Sequence, residues 1–157
     1  MPARHLVDLA ATATRLSEAA HLWEPLVDYD PVSRFYARLA LTPEHEAWLL
    51  TWVPGQGTDW HDHGGSAGAF VVVRGALTEE HARLQPDGSV VVAETRSLGT
   101  GALRPFGTRH VHKVTNTGLE PAVSIHVYAP ALTRMNGYVR EGDRLELVES
   151  RLAGVAW

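Results

Sequence analysis

The first part of the chain has apolar side chains at helical spacing. Apolar residues recur every three or four positions up to Ala20, and charged residues lie between them. This pattern predicts an amphipathic helix over residues 3–22. A second short helical turn is predicted at 23–29, because Asp30-Pro31 then interrupts the helical backbone.

From about residue 34, short apolar runs alternate with clusters of Gly, Pro, Asn and Asp. Turn signals at 86–88 and 116–118 separate neighbouring runs. Many short strands at close spacing favour an antiparallel sandwich or barrel, so the predicted fold class is all-β. Strands are predicted at 34–39, 46–53, 68–74, 77–84, 89–95, 110–115, 122–128 and 144–148.

Length and composition fit one globular domain. The chain has 157 residues, of which 45% are hydrophobic and 20% charged. We predict a single domain over residues 1–157, with N-terminal helices in residues 1–30 and a β-barrel over residues 34–150. We expect a monomer or a weak homo-oligomer.

Charge and cysteine content exclude several classes of function. The net charge is −4 and the basic residues are scattered, so we expect neither nucleic acid nor a membrane as a partner. The chain has no cysteine, which excludes disulfides, cysteine-based zinc sites and thiol nucleophiles. No apolar segment resembles a signal peptide or a membrane span, so we expect a cytoplasmic protein.

Histidine placement is the most informative feature of the sequence. His61 and His63 are separated by one residue. In an extended segment their side chains lie on the same face, about 7 Å apart along the strand. Such a pair can share one metal ion, but two exposed or hydrogen-bonded histidines give the same pattern.

A second pair, His110 and His112, has the same alternation, and His126 lies on the following predicted strand. A turn at 116–120 makes these two strands natural partners in a hairpin. This hairpin is predicted to place His112 and His126 on one face.

Ser124, His126 and Tyr128 alternate with three apolar residues. They face either solvent or the inside of a barrel, and periodicity leaves both open. Three histidines without a carboxylate form a neutral donor set that suits iron, zinc, nickel or copper. Such a set leaves positions open for a substrate or oxygen.

Two stretches resemble known motifs. Gly55 followed by His61 and His63 is similar to the first cupin motif, and Gly107 followed by His112 is similar to the second. More narrowly, the runs at 54–79 and 112–130 resemble bacterial thiol dioxygenases of the cysteine dioxygenase type I family. This resemblance implies a cupin fold, a small antiparallel β-barrel or jelly roll, with an N-terminal helical segment.

The resemblance implies Fe(2+) as the cofactor, with His61, His63 and His112 as its ligands. His110 fits the usual gap after Gly107, whereas His112 fits the His-x-x-x-Asn end of the motif. We favour His112, and the role of His110 stays open.

The resemblance also implies the residues that would surround the metal. Tyr128 matches the active-site tyrosine of the family, and Ser124 and His126 match its hydrogen-bonded partners. Arg38 matches the arginine that binds the substrate carboxylate, and Tyr36 matches a neighbouring tyrosine of the pocket.

Gly68 departs from the family pattern. Mammalian members have a cysteine at the matching position that is cross-linked to the tyrosine, and this chain has no cysteine. Many cupins have a glutamate there as a fourth metal ligand. The glycine therefore leaves a neutral set of three histidines.

The implied activity is that of an oxidoreductase in cysteine catabolism, which oxidises L-cysteine with O₂ to cysteine sulfinate. The implied partners are a small thiol amino acid and O₂. One alternative is a dioxygenase of another small thiol carboxylate, such as 3-mercaptopropionate. Others are a non-catalytic cupin that binds a metal or ligand, and a zinc or nickel cupin with isomerase or hydrolase chemistry.

Overall fold

The N-terminal segment is helical. A computed structural model describes the backbone of residues 2–152 and the side chains of residues 8–152. The predicted helix over 3–22 is divided into α1 (Pro2–Glu18) and α2 (Ala20–Trp23), and a 3₁₀ turn follows at Glu24–Leu26. Within the described part, none of the helices has the length and hydropathy needed to cross a bilayer.

After these helices, the described part of the chain contains eleven strands. They are β1 (Tyr36–Leu41), β2 (Glu46–Trp52), β3 (Trp60–His61), β4 (Ala67–Arg74), β5 (Leu77–Leu84), β6 (Val90–Leu98), β7 (Leu103–Phe106), β8 (Val111–Thr115), β9 (Ala122–Ala129), β10 (Arg134–Glu141) and β11 (Arg144–Leu152). Three of these, β3, β7 and β10, were not predicted. Strand β3 has two residues, β7 contains Pro105, and β10 carries a register shift at Gly137/Tyr138. Each feature weakens the sequence pattern of a strand.

The strands form two antiparallel assemblies. The first is a five-stranded sheet in the order β1-β2-β9-β4-β7, and the other six strands pair in a closed ring in the order β10-β11-β6-β5-β8-β3. This double-sheet architecture confirms the predicted all-β cupin fold with an N-terminal helical segment.

The predicted hairpin between residues 110–115 and 122–128 is wrong. Strand β8 pairs with β3 and β5, whereas β9 pairs with β2 and β4. The connection crosses between the two assemblies because Asn116 is buried and tied to β2. Its side-chain amide donates to the carbonyl oxygens of Trp52 and Glu120, at 2.9 and 2.8 Å.

Strand β9 is buried along its whole length, and its two faces have different neighbours. The apolar face packs beneath α1 in one core cluster, where Val123 and Ile125 join Leu9 and Ala13. Because the helix covers that face, the polar side chains of alternate residues point to the interior between the assemblies. Ser124, His126 and Tyr128 therefore face the inside of the barrel and not solvent, the two alternatives that periodicity left open.

Candidate active site

Three buried histidines converge in the interior. His61 lies on β3, His63 follows it in the next loop, and His112 lies on β8, where it is the register partner of His61. One ring nitrogen from each lies within 4.8 Å of the others. The Nε2 atoms of His61 and His112 are 3.2 Å apart. The structure thus brings together the three residues that the resemblance implies as ligands.

Hydrogen bonds orient two of these rings. Nδ1 of His61 lies 2.8 Å from the carbonyl oxygen of Asp59, and Nδ1 of His112 lies 2.7 Å from Oε2 of Glu79. Both partners are acceptors, so each Nδ1 is the donor and each Nε2 keeps a free lone pair. This is the usual arrangement of histidines that bind a metal.

His63 provides an independent test of whether a metal fits here. It is 1% exposed, and neither of its ring nitrogens has a hydrogen-bond partner among the described residues. A buried polar atom without a partner is costly, and coordination of a metal would satisfy it. The donor set therefore fits a divalent transition metal.

Burial keeps the three rings neutral. It lowers the pKa of His61 to about 4 and the pKa values of His63 and His112 well below their ordinary value. Neutral imidazole is the form of histidine that coordinates metals. The site therefore needs no deprotonation step to accept a metal at neutral pH.

A buried carboxylate on β5 anchors His112 from behind. Glu79 accepts hydrogen bonds from Nδ1 of His112 at 2.7 Å and from Nε of Arg104 at 2.6 Å, and Nε2 of His110 lies 3.2 Å away. Burial alone would raise the pKa of Glu79, but the hydrogen bonds from these neighbours outweigh it and lower the pKa far below its usual range. Glu79 is therefore an anion that holds His112 in place.

Sequence reasoning did not identify Glu79 or Arg104. Glu79 lies two residues after the buried Leu77 on a correctly predicted strand, so the two side chains share the inward face, and that position was the available signal. Arg104 lies on β7, which was not predicted.

His110 belongs to a different neighbourhood from the three converging rings. Its ring stacks on His81 at 4.7 Å and on Phe106 at 4.9 Å between ring centroids. It also forms a second group of possible ligand atoms with Glu79 and His112. The geometry groups His112, rather than His110, with His61 and His63.

Ser124, His126 and Tyr128 form a row of hydrogen-bonded side chains on the inner face of β9. Nε1 of Trp52 donates to Oγ of Ser124 at 2.9 Å, and Oγ lies 2.7 Å from Nε2 of His126. Nδ1 of His126 lies 3.4 Å from the hydroxyl of Tyr128. Burial lowers the pKa of His126 to about 3 and raises that of Tyr128 above its ordinary value, so both are neutral at pH 7.

A cavity of about 200 Å³ adjoins these groups. His61, His112, His126 and Tyr128 line it, together with the buried side chain of Arg34. Nη1 of Arg34 donates to the carbonyl oxygen of Gly57 at 2.7 Å. The guanidinium lies 4.7 Å from the centre of the Trp52 ring, so two contacts fix its position.

The assignment of Arg38 and Tyr36 to the pocket does not agree with the structure. Neither residue lines the cavity. Both lie on the edge strand β1 against Trp48, with the side chain of Arg38 51% exposed and 3.9 Å from Glu46, and Tyr36 37% exposed. The arginine inside the cavity is Arg34, which precedes β1. The resemblance matched Arg38 and Tyr36 by their place in the sequence and gave no information on which arginine is buried.

Gly68 has no space for a side chain. A Cβ atom there would lie 2.7 Å from Cε2 of Phe106 and 2.8 Å from the carbonyl oxygen of Val127. The Phe106 ring stacks on His63, with 4.6 Å between ring centroids. Phe106 therefore occupies the place beside the histidines where a side chain at position 68 would lie.

Comparisons with known proteins identify the family and support the fold. The sequence model of a family described as cysteine dioxygenase type I matches residues 4–141. Among solved structures, TT1209 from Thermus thermophilus is 21% identical with a TM-score of 0.58, covering 69% of this chain and 93% of that one.

A second similar structure is a conserved protein with a double-stranded beta-helix domain from Klebsiella pneumoniae. It is 18% identical with a TM-score of 0.58, covering 80% of this chain and 93% of that one. At this level of identity the two structures support the fold alone.

Proposed function

This chain belongs to the cysteine dioxygenase type I family, and from that membership we propose that it is an iron(II) dioxygenase of small thiol carboxylates, with L-cysteine as the first substrate to test. The product would be the sulfinate. The observation that carries the proposal is the convergence of His61, His63 and His112 beside a cavity that contains a buried arginine.

The three histidines would hold the iron through one nitrogen each. Bound iron would supply the redox chemistry and bind the thiolate, whose negative charge is favoured because neutral ligands leave the metal charge uncancelled. Both atoms of O₂ are added to sulfur. Sulfur loses four electrons, O₂ gains four, and the thiol proton is released, so no external reductant is required.

Arg34 is the residue that we propose binds the substrate carboxylate. Its Nε is buried and has no hydrogen-bond partner within residues 8–152, so it has a donor available for an anion. Burial lowers the pKa of Arg34 to about 10, which still leaves it charged at neutral pH. A fixed guanidinium binds a carboxylate through two parallel hydrogen bonds and so orients the substrate.

Tyr128 would contact the substrate or oxygen with its hydroxyl, which burial keeps protonated. His126 and Ser124 would position that hydroxyl through the row of hydrogen bonds on β9. Because this row continues to Nε1 of Trp52, which donates to Oγ of Ser124, it is held at the end opposite to the Tyr128 hydroxyl. The neutral hydroxyl can donate to an oxygen atom without adding a charge to the site.

An amine-free thiol such as 3-mercaptopropionate is the second candidate substrate. One observation favours it. Among the described residues that line the cavity, Asp59 is the acidic one, whereas Arg34 and Arg151 are both cationic. A substrate ammonium would therefore meet more repulsion than attraction.

The decisive experiment is oxygen uptake by iron-loaded protein with each thiol under ¹⁸O₂. We expect thiol-dependent uptake and a sulfinate with two ¹⁸O atoms, identified by mass spectrometry. His61→Ala is the control for loss of the site, and zinc-loaded protein tests whether iron is required. Absence of uptake with every thiol, or equal turnover with zinc, would refute the proposal in favour of a binding cupin or a zinc cupin.

A further inference from the structure

The cavity contains a second arginine, which the resemblance does not account for. Arg151 on β11 lines the same cavity as Arg34. Nη1 of Arg151 lies 3.2 Å from a carboxylate oxygen of Glu149, whereas its Nε is buried and has no hydrogen-bond partner in the part of the chain that the structure describes. Two guanidinium groups with unsatisfied donors therefore lie at one cavity.

The positive charges of Arg34 and Arg151 both act within this cavity. The positive charge of Arg151 contributes to the lowered pKa of Arg34, after the larger effect of burial. The histidines of the site are neutral, and Asp59 is the acidic lining residue among those described. The charged side chains that line the cavity therefore carry a net positive charge, to which a bound divalent metal would add.

We infer that Arg151 binds a second anionic group of the substrate, so that the preferred class of substrate is a small thiol dicarboxylate. This inference rests on the proposed function and names its substrate class. Arg34 would bind one carboxylate and Arg151 the other, each through a donor that has no partner among the described residues. An unpaired buried donor discriminates strongly between ligands that have an acceptor and ligands that lack it.

The size of the cavity is consistent with such a ligand. Its volume is about 200 Å³, which corresponds to about six or seven water molecules at about 30 Å³ each. A four-carbon dicarboxylate with one sulfur is of this order. A long thiol or a peptide would extend out of the cavity.

A binding experiment on the metal-free protein tests the inference without any turnover. Succinate and butyrate have the same carbon chain and differ by one carboxylate. By calorimetry we expect succinate to bind at least tenfold more tightly than butyrate. In Arg151→Gln this ratio should fall close to one, whereas Arg144→Gln, an exposed arginine on the same strand, should retain it. Equal binding of the two acids to the unmodified protein would overturn the inference, as would a preference that survives in Arg151→Gln.

Oxygen uptake by the iron-loaded protein provides the second test. We expect kcat/KM for 2-mercaptobutanedioate to exceed that for 3-mercaptopropionate at least tenfold, and Arg151→Gln to lower that ratio at least tenfold. Arg151→Lys, which keeps the charge, should recover part of the ratio. A ratio near one in the unmodified protein would overturn the inference even if the variants did not fold.

The two proposals fail in different ways. If succinate binds through Arg151 but no thiol supports oxygen uptake, the proposed dioxygenase activity is wrong and the anion site stands. If monocarboxylate thiols are oxidised as well as the dicarboxylate, the activity stands and the role of Arg151 is wrong.

Discussion

The carboxylate of Glu79 accepts a hydrogen bond of 2.7 Å from Nδ1 of His112, on the side of the ring opposite to the converging nitrogens. Glu79 is fully buried and is itself held by Nε of Arg104. This chain of contacts fixes both the tautomer and the direction of the His112 ring. A carboxylate behind a ligand histidine also makes the imidazole a stronger base.

Replacement of Glu79 should therefore weaken metal binding while leaving all three histidines in place. For Glu79→Gln we expect iron affinity to fall by about 10- to 100-fold, the usual effect of losing such a partner. Competition with a chelator measures it. The matched control is Glu80→Gln, because Glu80 is the next residue and pairs with Arg140 outside the site. An unchanged iron affinity in Glu79→Gln would show that Glu79 serves folding alone.

Replacement of Arg34 by glutamine should raise KM far more than the same replacement of Arg38. Loss of a buried charge partner costs about 2–5 kcal/mol in binding, so Arg34→Gln should raise KM at least about 30-fold. Iron content should not change, because Arg34 does not contact the three histidines. Arg38→Gln should have KM within about twofold of the unmodified protein, because its side chain is half exposed. Steady-state kinetics with 3-mercaptopropionate measures both, and the reverse order of effects would restore Arg38 as the carboxylate-binding residue.

Tyr128→Phe should separate metal binding from turnover. The substitution removes one hydroxyl and keeps the ring, which packs against His63 at 5.3 Å between centroids. We expect full iron content and a kcat at least about tenfold lower, since a positioned hydroxyl acts on the reacting atoms. Tyr36→Phe, outside the cavity, is the control. Unchanged kcat in Tyr128→Phe would limit this residue to packing.

Acid should destabilise the metal-free protein through His126. Burial lowers its pKa from 6.5 to about 3, so the unfolded chain binds the proton first as the pH falls. Stability is therefore complete above pH 6.5 and is lost progressively between pH 6.5 and about 3. From pH 7.5 to pH 5 the contribution of this histidine amounts to about 2 kcal/mol.

Urea unfolding at these two pH values tests this expectation. His126→Phe keeps a ring to stack on Phe70 and should lose about 2 kcal/mol less than the unmodified protein on acidification. His21→Phe, at an exposed position, should lose as much as the unmodified protein. If the unmodified protein and both variants lost the same free energy of unfolding on acidification, the acid sensitivity would belong to groups other than His126.

Local patterns in the sequence were sufficient for most strands, whereas the set of three converging histidines came from the resemblance to known motifs. The alternation in His61-x-His63 and along β9 reports which side chains share a face, and that information is local. The predicted pairing of β8 with β9 was wrong. The buried Asn116, which follows β8, donates a hydrogen bond to the last residue of β2, and strand order depends on such contacts. That contact joins residues that lie far apart in the sequence.

The two arginines of the cavity could not be predicted from the sequence for a similar reason. Arg34 lies outside every strand and Arg151 lies in the last strand, so no periodicity connects either with the histidines. Their positions become visible only when β11 closes the ring of six strands. Burial of a charged residue is a tertiary property, and composition or spacing carries little information about it.

The absence of a side chain at Gly68 should be a packing requirement of the site. A methyl group there would meet Phe106 on one side and the backbone oxygen of Val127 on the other, and the backbone cannot move away easily. For Gly68→Ala we expect a loss of about 1–3 kcal/mol in the free energy of unfolding, measured with urea. Gly99→Ala is the control, because nothing lies within 4 Å of the added methyl group. The double variant Gly68→Ala/Phe106→Leu should recover part of the loss, since the smaller side chain vacates the contested space. If Gly68→Ala were as stable as Gly99→Ala, the position would tolerate a side chain, and the steric account of the glycine beside the histidines would be wrong.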